Sequence, residues 1–244
     1  TALPIWQLYG DIQRVLAAGN RLVLVAPTGS GTDVSITNGT TGTVFTYNAG
    51  AVLSLNRGAQ NSLTYTVGNG GNDSIARGTN GTLIISVSDI AKLGVATASN
   101  SERFIVNGST PTTTNTIATG MVGQDRSNGN EGDFLTYNAT NGYTRATYTL
   151  TNSFTGSNNT SVVNIATAMS TPTTSTPVYA LKVGGVTLTN TGTITVGGSA
   201  TGVAGLILNG ATISGGTLTT PTAVGTELVV YVSTAGGTIT SNIA

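Results

Sequence analysis

The residues best equipped for chemistry lie in one polar stretch, Asp125-Arg126-Ser127-Asn128-Gly129-Asn130-Glu131-Gly132-Asp133. Asp125, Asn128, Asn130, Glu131 and Asp133 carry the hard oxygens that calcium collects in sets of six to eight. The spacing is not that of a helix–loop–helix calcium loop, and Arg126 competes for the same carboxylates, so a solvated loop is the competing reading. Glu131 and Asp133 are two residues apart, which on a strand turns both to one face. Paired carboxylates are what glycoside hydrolysis requires. Sugar grooves are usually lined with aromatics, however, and this chain has 1 Trp and 4 Phe, so the pair is not read as catalytic. Tyr137, Tyr143 and Tyr148 follow Asp133 and form the nearest approach to a glycan-binding cluster.

Composition closes most other routes to chemistry. The 244 residues include no His and no Cys, which removes Ser-His-Asp and Cys-His nucleophiles and any zinc site built on imidazole or thiolate. Nine basic and nine acidic residues leave no basic face for nucleic acid. No apolar run approaches the ~20 residues of a membrane helix. Ala26-Pro27-Thr28-Gly29-Ser30-Gly31-Thr32-Asp33 resembles the phosphate loop of helicases, but Thr32 stands where the phosphate-contacting Lys belongs and Asp33 where the magnesium-binding hydroxyl belongs. The segment is therefore read as a turn between strands. Gly68-Asn69-Gly70-Gly71-Asn72-Asp73-Ser74-Ile75 resembles one unit of the calcium-binding nonapeptide repeats of secreted toxins. Those repeats bind calcium between stacked copies, and here there is one copy. The reading takes no cofactor, with calcium as its alternative, and no enzymatic activity.

The elements that position these residues are mostly strands. Residues 4–18 are the exception: Ile5, Leu8, Tyr9, Ile12 and Leu16 recur at helical spacing and predict a short amphipathic helix. Its stripe packs on the chain's own sheet, or Pro4, Ile5, Trp6, Leu8, Tyr9 and Ile12 dock as an arm into a neighbouring subunit. After residue 20, short β-branched runs alternate with Asn-Gly and similar turns at Asn38-Gly39, Asn48-Ala49-Gly50, Asn69-Gly70, Asn80-Gly81 and Asn107-Gly108. Asn and Gly tolerate positive φ, so such pairs between apolar alternations signal hairpins. Strands about ten residues apart predict an all-β fold, sandwich- or jelly-roll-like, behind the N-terminal helix or arm. Phe45–Ala49 echoes Leu135–Ala139, and Leu63–Val67 echoes Ala146–Leu150. The expected organisation is an arm over 1–19 and β domains over 20–120 and 121–244, or one continuous β domain.

From residue 185 onward the chain resembles the Thr/Gly/Asn-rich strand repeats of large secreted bacterial surface proteins, autotransporter passengers among them. The residues that carry this are Gly192-Thr193-Ile194-Thr195-Val196, Gly205-Leu206-Ile207-Leu208-Asn209-Gly210 and Gly215-Gly216-Thr217-Leu218. The first 120 residues show no such short period, which argues against a pure β-helix. The resemblance implies an extracellular or cell-surface location. The composition agrees: Thr, Asn, Ser and Gly make up half the chain, only 7% of residues are charged, and Cys is absent. Net charge of zero favours association. The expected function is a structural protein that self-assembles into a filament, appendage or surface layer, its partners being copies of itself. The alternative is an adhesin or phage fibre or coat domain that binds surface glycans through its loops.

Overall fold

The computed structural model describes residues 14–38, 42, 44–96, 100–197, 203–221 and 227–244. These hold strands, one 3-10 turn at Ile90–Lys92 and no α-helix, so the protein is all-β. Chain contacts divide it into two compact units. The first comprises Thr1–Thr113, Met121–Ser127 and Leu135–Arg145; the second comprises Thr114–Gly120, Asn128–Phe134 and Ala146–Ala244.

The first unit is a parallel coil with three sheet faces. Its strands run β1 (Arg14–Leu16), β2 (Arg21–Val25), β3 (Asp33–Asn38), then β4 (Val44–Tyr47), β5 (Ala51–Asn56), β6 (Ser62–Val67), then β7 (Ser74–Arg77), β8 (Leu83–Val87), β9 (Ser101–Val106). Each strand pairs with the strand three places on rather than with its neighbour, giving the ladders β1-β4-β7, β2-β5-β8 and β3-β6-β9. The short strands β10 (Thr113–Thr114) and β11 (Ile117–Ala118) pair with each other. Strand β12 (Met121–Asp125) extends the β8 face in parallel. Within β13 (Glu131–Asn138), Leu135–Asn138 pairs antiparallel with β14 (Gly142–Arg145). In-register stacking puts like on like inside the coil: Ile36, Tyr65 and Phe104 share one column. The Tyr65 and Phe104 rings stack at 5.5 Å, and Tyr143 stacks on the far side of Phe104 at 5.2 Å. Those distances are close to the ~4.8 Å between strands, so the aromatic column follows the ladder.

The second unit repeats the plan with a shorter turn. Its strands are β15 (Leu150–Thr151), β16 (Val162–Ile165), β17 (Met169–Ser170), β18 (Thr176–Val178), β19 (Ala180–Gly184), β20 (Thr187–Thr189), β21 (Thr193–Val196), β22 (Val203–Asn209), β23 (Ala211–Ser214), β24 (Thr217–Thr219), β25 (Glu227–Val232), β26 (Gly237–Ile239) and β27 (Asn242–Ile243). They form three ladders, β15-β16-β19-β22-β25, β17-β20-β23-β26 and β18-β21-β24-β27. Inside, Leu181, Leu206, Val183, Leu208, Leu188, Ile213, Ile194 and Leu218 build one apolar core. Corners stack too. Gly185 and Gly210, both left-handed (φ 65° and 66°), turn successive coils, and their N–H groups bond carbonyls one coil on, at Asn209 and Gly236. A residue with a side chain resists that φ.

Three expectations are corrected. The strands are not a sandwich or jelly roll of hairpins: the ladders within both coils are parallel. Among the described residues the turn pairs are coil corners; Gly50, for instance, has φ 69° yet sends the chain from β4 to another face. Positive φ marks a sharp turn in either architecture and does not say which strand the next one pairs with. The expectation against a β-helix falls with it. The helix expected over 4–18 is contradicted at its C-terminal end, where Arg14–Leu16 pairs in parallel with Phe45–Tyr47; tertiary pairing overrides a local period there. The arm residues Pro4, Ile5, Trp6, Leu8, Tyr9 and Ile12 lie outside the described residues.

Candidate functional site

The polar stretch that heads the sequence reading is committed to structure. In the first unit, Asp125 Oδ1 accepts from the Ser127 N–H (2.9 Å) and hydroxyl (2.8 Å), and Oδ2 from the Ile90 N–H at 3.2 Å. Arg126 reaches across the coil rather than into solvent. It donates to the Ser86 and Leu55 carbonyls, both at 2.6 Å, and to Glu102 at 3.4 Å. Glu102 is 1% exposed and also accepts from the Arg57 N–H (3.0 Å) and from Ser88 through N–H and hydroxyl. A buried charge this well matched clasps successive coils.

In the second unit, residues 128–134 lie as a strap on the outer face of the β19–β22–β25 sheet. The Asn209 amide pairs both ways with the Gly132 backbone, 2.9 and 3.0 Å. The Tyr231 hydroxyl donates to the Asn130 carbonyl at 2.6 Å. A Cβ on Gly132 would come within 2.4 Å of the Tyr231 ring, so only glycine lets the backbone lie there. Asp133, 2% exposed, accepts from Lys182 at 2.9 Å and from the Tyr148 hydroxyl.

The residues singled out by sequence thus separate. Asp125 belongs to the first unit and Asp133 to the second, each with its own partners. Among the described residues no group of three or more acidic side chains could hold a metal. Tyr148 does meet Asp133. Tyr143 is wholly buried in the first unit's aromatic column, which pushes its hydroxyl well above the usual value of 10. Tyr137 donates to the Val106 carbonyl at 2.9 Å; burial raises its pKa too. The helicase-like segment is a coil corner: the Thr32 N–H and hydroxyl donate to Gln60 from the next coil, 3.1 and 2.6 Å. In the toxin-like loop, Asp73 is fully buried and accepts from the Gly70 N–H at 2.8 Å.

The columns of the second unit's core continue into its last described strands. Strands β25, β26 and β27 are each the final member of their ladder. Their core-side residues continue buried columns: Val230 follows Leu206, Val232 follows Leu208, Ile239 follows Ile213 and Ile243 follows Leu218. Leu206 is 0% and Leu208 2% exposed, whereas Val230 is 48%, Val232 46% and Ile243 76% exposed. This feature is missed in the sequence reading. Its signal is the 25-residue echo of Leu181-Lys182-Val183-Gly184-Gly185-Val186-Thr187-Leu188-Thr189 in Leu206-Ile207-Leu208-Asn209-Gly210-Ala211-Thr212-Ile213-Ser214. The outer faces carry matching columns of hydroxyls, Thr187–Thr212–Thr238 and Thr193–Thr217. In the first unit, a cleft of about 430 Å³ is lined by Ile90, Leu93, Val95, Asn141, Thr144 and Arg145, among others.

No family model, no curated protein and no solved structure matches the chain. Among the described residues no helix is long and apolar enough to cross a membrane.

Proposed function

We propose that this is an extracellular structural protein that self-assembles into a filament, appendage or surface layer through strand contacts between its copies, with the N-terminal arm as a second contact. The observation that carries the reading is the stacking of parallel coils whose outer faces align hydroxyls in columns, such as Thr187–Thr212–Thr238 and Thr193–Thr217. The low charge and Thr-rich outer faces support the same reading, because copies approach without repulsion. The Thr/Gly/Asn-rich repeats beyond residue 185 support the extracellular reading.

A second reading, an adhesin or phage fibre domain that binds glycans, has the 430 Å³ cleft as its observation. Asn141, Thr144 and Arg145 offer hydrogen-bonding groups there, without an aromatic ring among the described lining residues. Negative-stain microscopy and light scattering across a concentration series test the first reading, and deletion of residues 1–12 tests the arm. Regular fibres or sheets are expected. A stable monomer at every concentration, with reproducible glycan-array binding, would transfer the case to the second.

A further inference from the structure

We infer that Lys182 and Asp133 condense after folding into an intramolecular isopeptide bond, an amide from Lys182 Nζ to Asp133 Cγ, with Tyr148 as the catalytic residue. The bond lies within one copy, so the inference stands apart from the self-association proposed above.

The strap holds Asp133 from both sides. Before it, the Gly132 N–H and carbonyl are engaged by the Asn209 amide. After it, the Phe134 ring lies on the Gly205 backbone, where a Cβ would come within 2.4 Å of the ring. Gly205 and Asn209 belong to β22 and pair in register with Ala180 and Gly184 of β19, so Lys182 stands on the adjacent strand between the two anchors. Its Nζ lies 2.9 Å from Asp133 Oδ2. The Asp133 side chain is 2% exposed and that of Lys182 13%. The Tyr148 hydroxyl donates to Asp133 Oδ1. The Tyr148 ring lies 5.8 Å from Nζ, and Phe134 packs against that ring at 6.4 Å. Nucleophile, carboxyl group and hydrogen-bond donor are thus held together within aromatic walls. Attack requires the nitrogen ~3–3.5 Å from the carboxyl carbon, and the flexible four-carbon Lys182 stem can bring it there.

In open water an ammonium and a carboxylate are each well solvated and do not condense. Burial removes that solvation and penalises both charges, a penalty that a neutral amide escapes. Fixing the two groups side by side is equivalent to a local concentration of ~10⁵–10⁸ M. The chain folds with the ion pair, and the bond follows. One proton passes from Nζ to Oδ2 along their hydrogen bond, leaving an amine beside a carboxylic acid. The Nζ lone pair attacks Cγ, and negative charge gathers on Oδ1, where the Tyr148 hydroxyl donates. A second proton moves from Nζ to the Oδ2 hydroxyl, the Cγ–Oδ2 bond breaks, and water leaves. The third proton stays on the amide nitrogen, and Oδ1 becomes the amide oxygen. Nothing is oxidised or reduced, and no co-reactant is needed. The buried pair of Arg126 and Glu102 cannot take this course, because a guanidinium spreads its charge over three nitrogens and is no nucleophile. The chain has no Cys; the amide does what a disulfide does elsewhere, closing the loop from 133 to 182 and tying the strap to the sheet.

Intact-mass spectrometry of the full chain, unfolded only after purification, reads the bond directly. The expected mass is one water below that of the sequence, and proteolysis is expected to yield a branched peptide joining Asp133 to Lys182. Lys182→Arg keeps the charge but cannot condense; it is expected to show the full mass with unchanged far-UV circular dichroism. Tyr148→Phe is expected to slow the linkage about 100-fold, the loss seen when one oxyanion donor is removed, so that fresh protein shows the full mass and acquires the link on standing. The full mass in the folded, unsubstituted chain would overturn the bond, as would loss of water without the branched peptide, or loss of water in Lys182→Arg. A Tyr148→Phe chain linked as fast as the unsubstituted one would overturn the catalytic role of Tyr148.

Discussion

Replacing Phe104 with alanine tests whether the stacked interior of the first coil holds that unit together. The ring is fully buried between Tyr65 at 5.5 Å and Tyr143 at 5.2 Å, with Phe45 edge-on at 5.8 Å. A buried Phe→Ala change costs about 3–5 kcal/mol, transfer and cavity terms together. Three aromatic partners, each pair worth about 0.5–1.5 kcal/mol beyond area, place this site near the top of that range. The Gly142 corner leaves little room for collapse, since a Cβ there would already lie 2.1 Å from the Phe104 carbonyl oxygen. Leucine retains much of the volume but none of the stacking, so Phe104→Leu should cost about 1.5–2 kcal/mol. Coiled repeats open locally, and residue-resolved hydrogen exchange is therefore the appropriate assay. At about 1.4 kcal/mol per decade, amides of β6 and β9 should exchange roughly a thousandfold faster in Phe104→Ala and about tenfold faster in Phe104→Leu. Amides of Leu206 and Ile213, in the second unit's core, should keep their rates. Less than a tenfold change in Phe104→Ala, or equal changes in the two variants, would refute the claim that the aromatic column stabilises the coil.

Buried tyrosines and the Asp133–Lys182 pair give two further tests. Burial raises the Tyr47 hydroxyl to about 12, partly offset by Arg77, and raises that of Tyr143 well above 10. The native state thus holds protons that an unfolded tyrosine releases near 10, so this stability is complete below pH 10 and is lost as pH rises toward 12, about 3 kcal/mol for Tyr47 alone. Tyrosinate absorbance and circular dichroism should move together over that interval; ionisation of every tyrosine near 10 without unfolding would contradict it. Asp133→Asn leaves the 13%-exposed Lys182 side chain without its countercharge and should cost about 2–4 kcal/mol in urea unfolding. The double change Asp133→Leu with Lys182→Met should cost less than Asp133→Asn alone, and the reverse order would show that the pair's charge is not what matters.

Several features are legible from residue types alone. Short β-branched runs, Asn and Gly at the turns, and the absence of His and Cys state an all-β chain and exclude imidazole and thiolate chemistry, because propensity and side-chain inventory are local properties. The corner at residues 26–33 is also readable, since Thr32 and Asp33 cannot serve a phosphate. What local signals do not decide is the partner of each strand. An Asn-Gly turn bends the chain equally well into a hairpin or around a coil corner, and the choice depends on whether β5 gains more from its neighbour or from β2 and β8. Phe104 beside Tyr65, Arg126 across Ser86 and Leu55, and Asp133 under Lys182 are contacts between residues tens of positions apart, set by that choice. The same holds for Val230 and Val232. Their types mark a strand, but only the coil shows that they continue the columns of Leu206 and Leu208 and stand where the core meets solvent.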